Sequence, residues 1–264
     1  MAGLGWYRAT VAAGHVALRA LGVTVRVGGL DRLPGAGDGP VLLAANHVSY
    51  PDFVFVAEAA WRRRLPVRFL CRHDVWHAPF VGRAMTAMRH VPVDRTAPAA
   101  AYLGARALLR DGETVCAFPE AGISYSYTVR ALMPGVASLA RETGVPVVPV
   151  TIWGSQRIWS VGRPVDGRGP RPSLRRGRTV DVRFGEPLRV APGDDLTAAT
   201  GRLGLALTAA LEELQALPEH RPRPGEQAPW FPAHLGGHAP DRREAAVYDH
   251  VPRSAIPPVW GPLD

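Results

Sequence analysis

With 264 residues, 47% of them hydrophobic, the chain can bury one sizeable core, which excludes wholesale disorder. Its formal net charge is +8, carried entirely on arginine among the long basic side chains, and this favours acidic partners such as phosphates or anionic lipid surfaces. Basicity alone does not make a nucleic-acid protein: no recognition motif, and no run of aromatic residues interleaved with basic ones, accompanies it.

Residues 4–21 place apolar side chains at Leu4, Val11, Leu18 and Leu21, a helical spacing, with Trp6 and Tyr7 near the start. Arg8, His15 and Arg19 interrupt them, a mixture that fits a helix lying on a bilayer or one packed on the core. Strands are predicted at 23–27, 41–45, 66–71, 91–93, 114–118, 145–153 and 180–184. Helices are predicted over 51–61, over 97–110 with Pro98 in the first turn and Asp111-Gly112 closing it, over 135–141 before Gly144, and over 196–217. Residues 81–88 read as helical or irregular. Short apolar strands alternating with helices predict an α/β fold: a mixed, mostly parallel sheet flanked by helices.

Residues 162–178, rich in Gly, Pro and Arg, predict an exposed loop. Residues 218–264 are crowded with proline yet carry Trp230, Phe231, Tyr248 and Trp260, which predicts an extended tail laid on the domain through those aromatics. The expected organisation is an N-terminal amphipathic, membrane-facing segment at 1–28, a catalytic domain at 29–217 and a Pro-rich extension at 218–264. No run of 18 uncharged apolar residues and no secretory leader is evident, so no membrane span is expected. Cys71 and Cys116 form no CxxC pair, which predicts a reducing compartment rather than a disulfide framework.

The chemistry concentrates in Asn46-His47-Val48-Ser49-Tyr50-Pro51-Asp52, between an apolar strand and a helix start. A histidine at a strand's end can face a cleft, and a turn of five residues can bring Asp52 back to its ring. The carboxylate would fix the tautomer, leaving the second ring nitrogen to take a proton from an alcohol. Read alone, H-x4-D is more often a loop histidine beside a helix cap.

The company it keeps narrows the choice. Asn46, His47, Ser49 and Asp52 match NHxSxxD; Val91-Pro92-Val93-Asp94-Arg95 ends in an apolar residue, Asp and Arg; Phe118-Pro119-Glu120-Ala121-Gly122-Ile123-Ser124 partly matches FPEGTRS; and 145–150 is an apolar run around Val-Pro. In this order the four segments resemble the motifs of the glycerolipid acyltransferase family, which includes 1-acylglycerol-3-phosphate acyltransferases. The resemblance implies a glycerol-phosphate acyltransferase-like fold and transfer of a fatty acyl group from acyl-CoA or acyl carrier protein to the hydroxyl of a lysophospholipid-like acceptor. It implies His47 as general base and Asp52 as its orienting partner, with no cofactor and no metal. Around the substrates it places Asn46, Ser49, Asp94, Arg95, Glu120 and Gly122, with Arg95 on the acceptor's phosphate. It further implies a peripheral protein on the cytoplasmic face of the cell membrane.

One departure stands out. Where the third motif has Gly-Thr-Arg, this chain has Ala121-Gly122-Ile123, so the second phosphate-holding arginine is missing; Arg130 lies seven residues on. A noncatalytic lipid- or acyl-carrier-binding protein on the same fold is the alternative that this departure favours, and intact His47 and Asp52 oppose it. His73 and His77, at i and i+4, form a weak zinc pattern lacking the glutamate of HExxH. Ser124, Ser126 and Ser155 sit in no GxSxG elbow.

Overall fold

A computed structural model describes residues 4–35, 38–94, 96–163 and 169–261. Seven strands form one sheet: β1 (Thr24–Gly28), β2 (Leu42–Ala45), β3 (Val67–Arg72), β4 (Val91–Val93), β5 (Thr114–Ala117), β6 (Val147–Trp153) and β7 (Thr179–Phe184). Their spatial order is β1-β7-β6-β2-β5-β3-β4, and every pairing is parallel except that of β6 with β7. The mixed, mostly parallel sheet expected from the sequence is therefore present. β2, β5 and β6 are buried along their whole length, as suits central strands covered on both faces.

Among the described residues, seven α-helices surround the sheet: α1 (Leu4–Ala20), α2 (Asp52–Trp61), α3 (Pro79–Ala87), α4 (Ala99–Arg110), α5 (Gly135–Thr143), α6 (Leu196–Gln215) and α7 (Arg242–Ala246). Segment 81–88, left open between helix and irregular chain, is helical as far as Ala87, with Met88 capping α3. α2 packs on one face of the sheet, with Phe55, Val56, Ala59 and Ala60 against Leu43, Phe69, Val148 and Ile152. α4, α5 and α6 pack on the other through Leu108, Leu109, Leu139, Leu203, Leu207 and Leu211. Helix ends follow local chemistry: Asp195 caps α6 by accepting from the Ala198 N–H at 2.8 Å, and Gly144, at φ 71°, closes α5.

α1 does one of the two things its pattern allowed and leaves room for the other. Tyr7 and Val11 are buried beside Met88, and the Tyr7 hydroxyl accepts from the Val67 N–H at the start of β3. Trp6 and Val16 stay exposed, and Trp6 meets the exposed Phe80 ring edge-on at 5.9 Å. Among the described residues no helix is long and apolar enough to cross a membrane.

The Pro-rich C-terminal segment is built into the domain. Ala228, Phe231, Ala239 and Trp260 join the core around α6, and Ile256 forms a β-bridge with Leu132. The indole of Trp260 lies flat on Gly204 of α6, where a Cβ would come within 2.4 Å of the ring, and its Nε1 donates to the Val129 carbonyl at 3.1 Å. In place of a simply extended tail, the chain after α6 makes short 3-10 turns at Pro218–His220 and Ala233–Leu235, then α7.

Candidate active site

Parallel pairing sends β2, β5 and β6 out of the same edge of the sheet, so the chain that follows each one meets there. Beyond β2, Asn46 continues the ladder with its side chain: Nδ2 donates to the Ile152 carbonyl at 3.1 Å and Oδ1 accepts from the Ile152 N–H at 2.7 Å. Both amide atoms are thus spent on β6, and Asn46 stands fully buried behind His47 rather than on the groove wall.

His47 follows. Its Nδ1 lies 2.9 Å from Asp52 Oδ2. Asp52, the first residue of α2, is fully buried, and its carboxylate also accepts from the Val48 and Ser49 N–H groups, each at 2.8 Å, from Ser49 Oγ, and from Ser155 Oγ at 2.7 Å. With so many donors converging, the carboxylate has one orientation and the Nδ1–H tautomer of His47 is the one that fits it. Nε2 of His47 has no partner among the described residues, and the ring packs on Phe118 with centroids 4.4 Å apart.

Glu120, beyond β5, is also buried. Its two oxygens accept from the His47 N–H at 2.6 Å and the Arg130 N–H at 3.0 Å, tying the first motif to the chain after the third. Burial pushes its carboxyl up to about 8, while the N–H groups of Arg130 and His47 and the Arg130 charge pull the other way. Gly122 lines the groove beside His47. Ile123, at the position of the missing arginine, is buried. Asp94 lies apart from the base: its Oδ1 accepts from the N–H and hydroxyl of Thr96 in the turn before α4, bonds that lower its carboxyl from the usual value. Arg95 falls outside the described residues.

The groove itself holds about 1790 Å³ and is lined mostly by apolar side chains. That exceeds the roughly 300–1,000 Å³ common for drug-sized ligands and suits a long aliphatic chain. His47, Tyr50 and Phe118 stand at the sheet edge; Phe53, Phe69, Met85 and Phe80 extend the wall toward α1 and α3. His73 and His77 sit on a 3-10 turn with rings edge to face, and no group of three potential metal ligands gathers among the described residues.

Residues 24–153, which carry all four motifs, match the family model described as Acyltransferase. That stretch, about half of the chain, is an acyltransferase-family domain. The chain is 28% identical over 141 residues to a chloroplastic 1-acyl-sn-glycerol-3-phosphate acyltransferase of Arabidopsis thaliana, an alignment covering 52% of this chain and 38% of the plant protein. A 1-acyl-sn-glycerol-3-phosphate acyltransferase of Borreliella burgdorferi is 25% identical over 148 residues, covering 54% of this chain and 57% of that one. The aligned stretch thus spans less than two thirds of each of these relatives. The crystal structure of the 1-acyl-sn-glycerophosphate acyltransferase PlsC from Thermotoga maritima shares the fold, with a TM-score of 0.64 at 23% identity and 80% of each chain covered.

Ser155, which the sequence offers only as an unsupported nucleophile, belongs to this site. It reaches Asp52 because β6 pairs with β2 and the chain turns sharply at Gly154, with φ 100°. Asp249 and His250 also line the groove, from a segment read as tail. Neither had a local signal, since both depend on pairing across long separations.

Proposed function

We propose that this protein transfers an acyl group from a thioester, acyl-coenzyme A or acyl carrier protein, to the hydroxyl of a lysophospholipid-like acceptor. One observation carries the reading: a His47–Asp52 pair at 2.9 Å whose remaining ring nitrogen has no partner among the described residues and stands at the rim of a large apolar groove. Nε2 takes the proton of the acceptor hydroxyl, and the oxygen attacks the thioester carbonyl. The C–S bond then breaks, the departing thiolate recovers the proton from the imidazolium, and an ester remains. Asp52 holds the ring and stabilises its charged form; Ser49, Ser155 and Asn46 position these two groups. Glu120 fixes the backbone of His47, and Gly122 leaves room beside it. No cofactor takes part in this step. Arg95 binds the acceptor's phosphate, an assignment that rests on the second motif alone.

The same reading puts the protein on the cytoplasmic face of the cell membrane, where such acceptors lie. Trp6, Val16, Phe80 and Val81 support it: they are exposed apolar side chains on the two helices that border the groove. The test of transfer is thiol release from acyl-coenzyme A with a panel of lysophospholipids. Release that requires both an acceptor and His47 is expected; equal inertness of the wild type and His47→Ala would leave only binding. For the membrane, Trp6→Ala with Phe80→Ala is expected to weaken sedimentation with phosphatidylglycerol vesicles, and unchanged sedimentation removes that part.

A further inference from the structure

Beyond the end of β6 the fold brings several cations together. The 3-10 turn Ser155–Arg157 holds Asp52 through its first residue and carries Arg157 as its last. The Arg157 guanidinium lies 4.0 Å over the ring of Trp230, with Nη2 3.9 Å from Glu226 Oε1. The segment before β7 is fastened to the same turn: the Ser173 N–H donates to the Ile158 carbonyl at 2.7 Å, and Arg178 Nη2 donates to Ser173 Oγ at 3.0 Å. Arg223 joins from the chain after α6, its N–H donating to Glu226 Oε2 at 2.9 Å. Arg175 and Arg223 are exposed; Arg157 and Arg178 are half-buried, and the Nε of each is buried without a hydrogen-bond partner.

This arrangement carries an electrostatic cost. Burial disfavours the charge of Arg157, and Arg175 and Arg223 add repulsion; burial, Arg157 and Arg175 do the same to Arg178. One carboxylate, Glu226, opposes both effects. Like charges held together with donors to spare are relieved when an anion answers them, and guanidinium groups are the donors best shaped for phosphate.

The patch is joined to the base. Tyr50, which lines the groove with His47, donates its N–H to the Trp159 carbonyl at 3.1 Å, and the two rings pack with centroids 4.6 Å apart. Contacts therefore run from His47 past Tyr50 and the exposed Trp159 to the arginines along one edge of the sheet. A bilayer spreads its phosphates over a plane. Coenzyme A instead gathers a 3′-phosphate and a diphosphate at one end of a long uncharged arm whose other end bears the thioester, which matches clustered cations set apart from a base.

We propose that Arg157, Arg175, Arg178 and Arg223 bind the phosphates of coenzyme A, the pantetheine arm passing Trp159 and Tyr50 to bring the thioester to His47. The inference rests on acyl transfer as the activity of this site and names the donor.

The experiment has two arms. Calorimetric titration compares coenzyme A with pantetheine, which lacks the phosphates; kinetics compares acyl-coenzyme A with the S-acyl pantetheine of the same chain, in detergent micelles with one lysophospholipid. The wild type is expected to bind coenzyme A at least about tenfold more tightly than pantetheine. Arg157→Gln with Arg178→Gln is expected to remove that advantage and to raise KM for acyl-coenzyme A at least about tenfold, with a several-fold smaller loss on the S-acyl pantetheine. Arg175→Gln with Arg223→Gln, at exposed positions, is expected to raise the same KM about threefold, and decides if the first variant does not fold. Equal affinity of the wild type for coenzyme A and pantetheine, or an unchanged KM for acyl-coenzyme A in the folded variants, overturns the inference. So does an equal loss with both thioesters. Weakened sedimentation with phosphatidylglycerol vesicles at unchanged coenzyme A affinity overturns it too, and gives the cations to lipid phosphates. Absence of His47-dependent thiol release with every acceptor overturns acyl transfer, while the titration still decides whether coenzyme A binds at these arginines.

Discussion

The two walls of the groove are built in opposite ways. On one side, His47 and Asp52 lie five residues apart, and four of the five bonds to the carboxylate come from residues 47–49. On the other side, Glu120, Arg130 and Asp249 are assembled across 129 positions: Glu120 accepts from the Arg130 N–H, and Arg130 pairs with Asp249 in chain that folds back from beyond α6. The first wall is a local turn at the end of a central strand. The second exists only once the whole domain has packed. The geometry of the His47–Asp52 pair is thus held mostly by short-range bonds, while the opposite wall is left to distant segments.

Substitutions can break or sharpen this contrast. The largest effect is expected at the local wall: His47→Ala should reduce thiol release at least ~100-fold, the scale of a lost general base, without loss of folding. Full residual activity would remove the imidazole from the reaction. At the distant wall the large effect should be on stability. Trp260→Ala empties a fully buried site over Gly204 and removes one of two donors to the Val129 carbonyl, at a cost of about 3–5 kcal/mol in denaturant unfolding. A loss below about 1 kcal/mol would mean that the C-terminal segment is only loosely seated.

Ser155→Ala tests the single long-range bond of the local wall. Losing one donor to a buried carboxylate should lower kcat by about tenfold while leaving KM for the donor thioester in place. An unchanged kcat would show that the bonds from residues 47–49 suffice. A pH-dependent effect is expected from Glu120, which links the two walls. Its native pKa of about 8 stands above the ordinary 4.5, so the folded protein holds the proton longer than the unfolded chain. Its stabilising contribution is complete below pH 4.5 and fades as pH rises to about 8. The melting-temperature difference between wild type and Glu120→Gln should therefore shift against the wild type across that window. A difference constant with pH would place the carboxyl in its ordinary range.

The same contrast explains what could be read in the chain itself. The alternation of strands and helices is a local signal, and the elements lie within a few residues of their predicted bounds, with α1 ending at Ala20 and β5 at Ala117. His47 and Asp52 were legible because they share one short segment bounded by a strand and a helix. The amide of Asn46, spent on Ile152, was not: that role depends on β6 lying beside β2, 106 positions away. Residues after 217 gave a misleading composition. Proline density suggests extended chain, but the burial of Phe231 and Trp260 is decided by the surface of α6, above all by Gly204. The reversal of β7 against β6 likewise had no mark in either strand, since fully buried strands look alike in both directions.

Asn46 has a mechanical consequence. By doubling as one more rung between β2 and β6, it ties the imidazole to the buried centre of the sheet. Any opening needed to admit a long aliphatic tail must then fall on α1, α3 and the C-terminal lining, with the proton acceptor as the fixed point about which they move. In hydrogen exchange, the Ile152 amide should accordingly open only with the entire sheet.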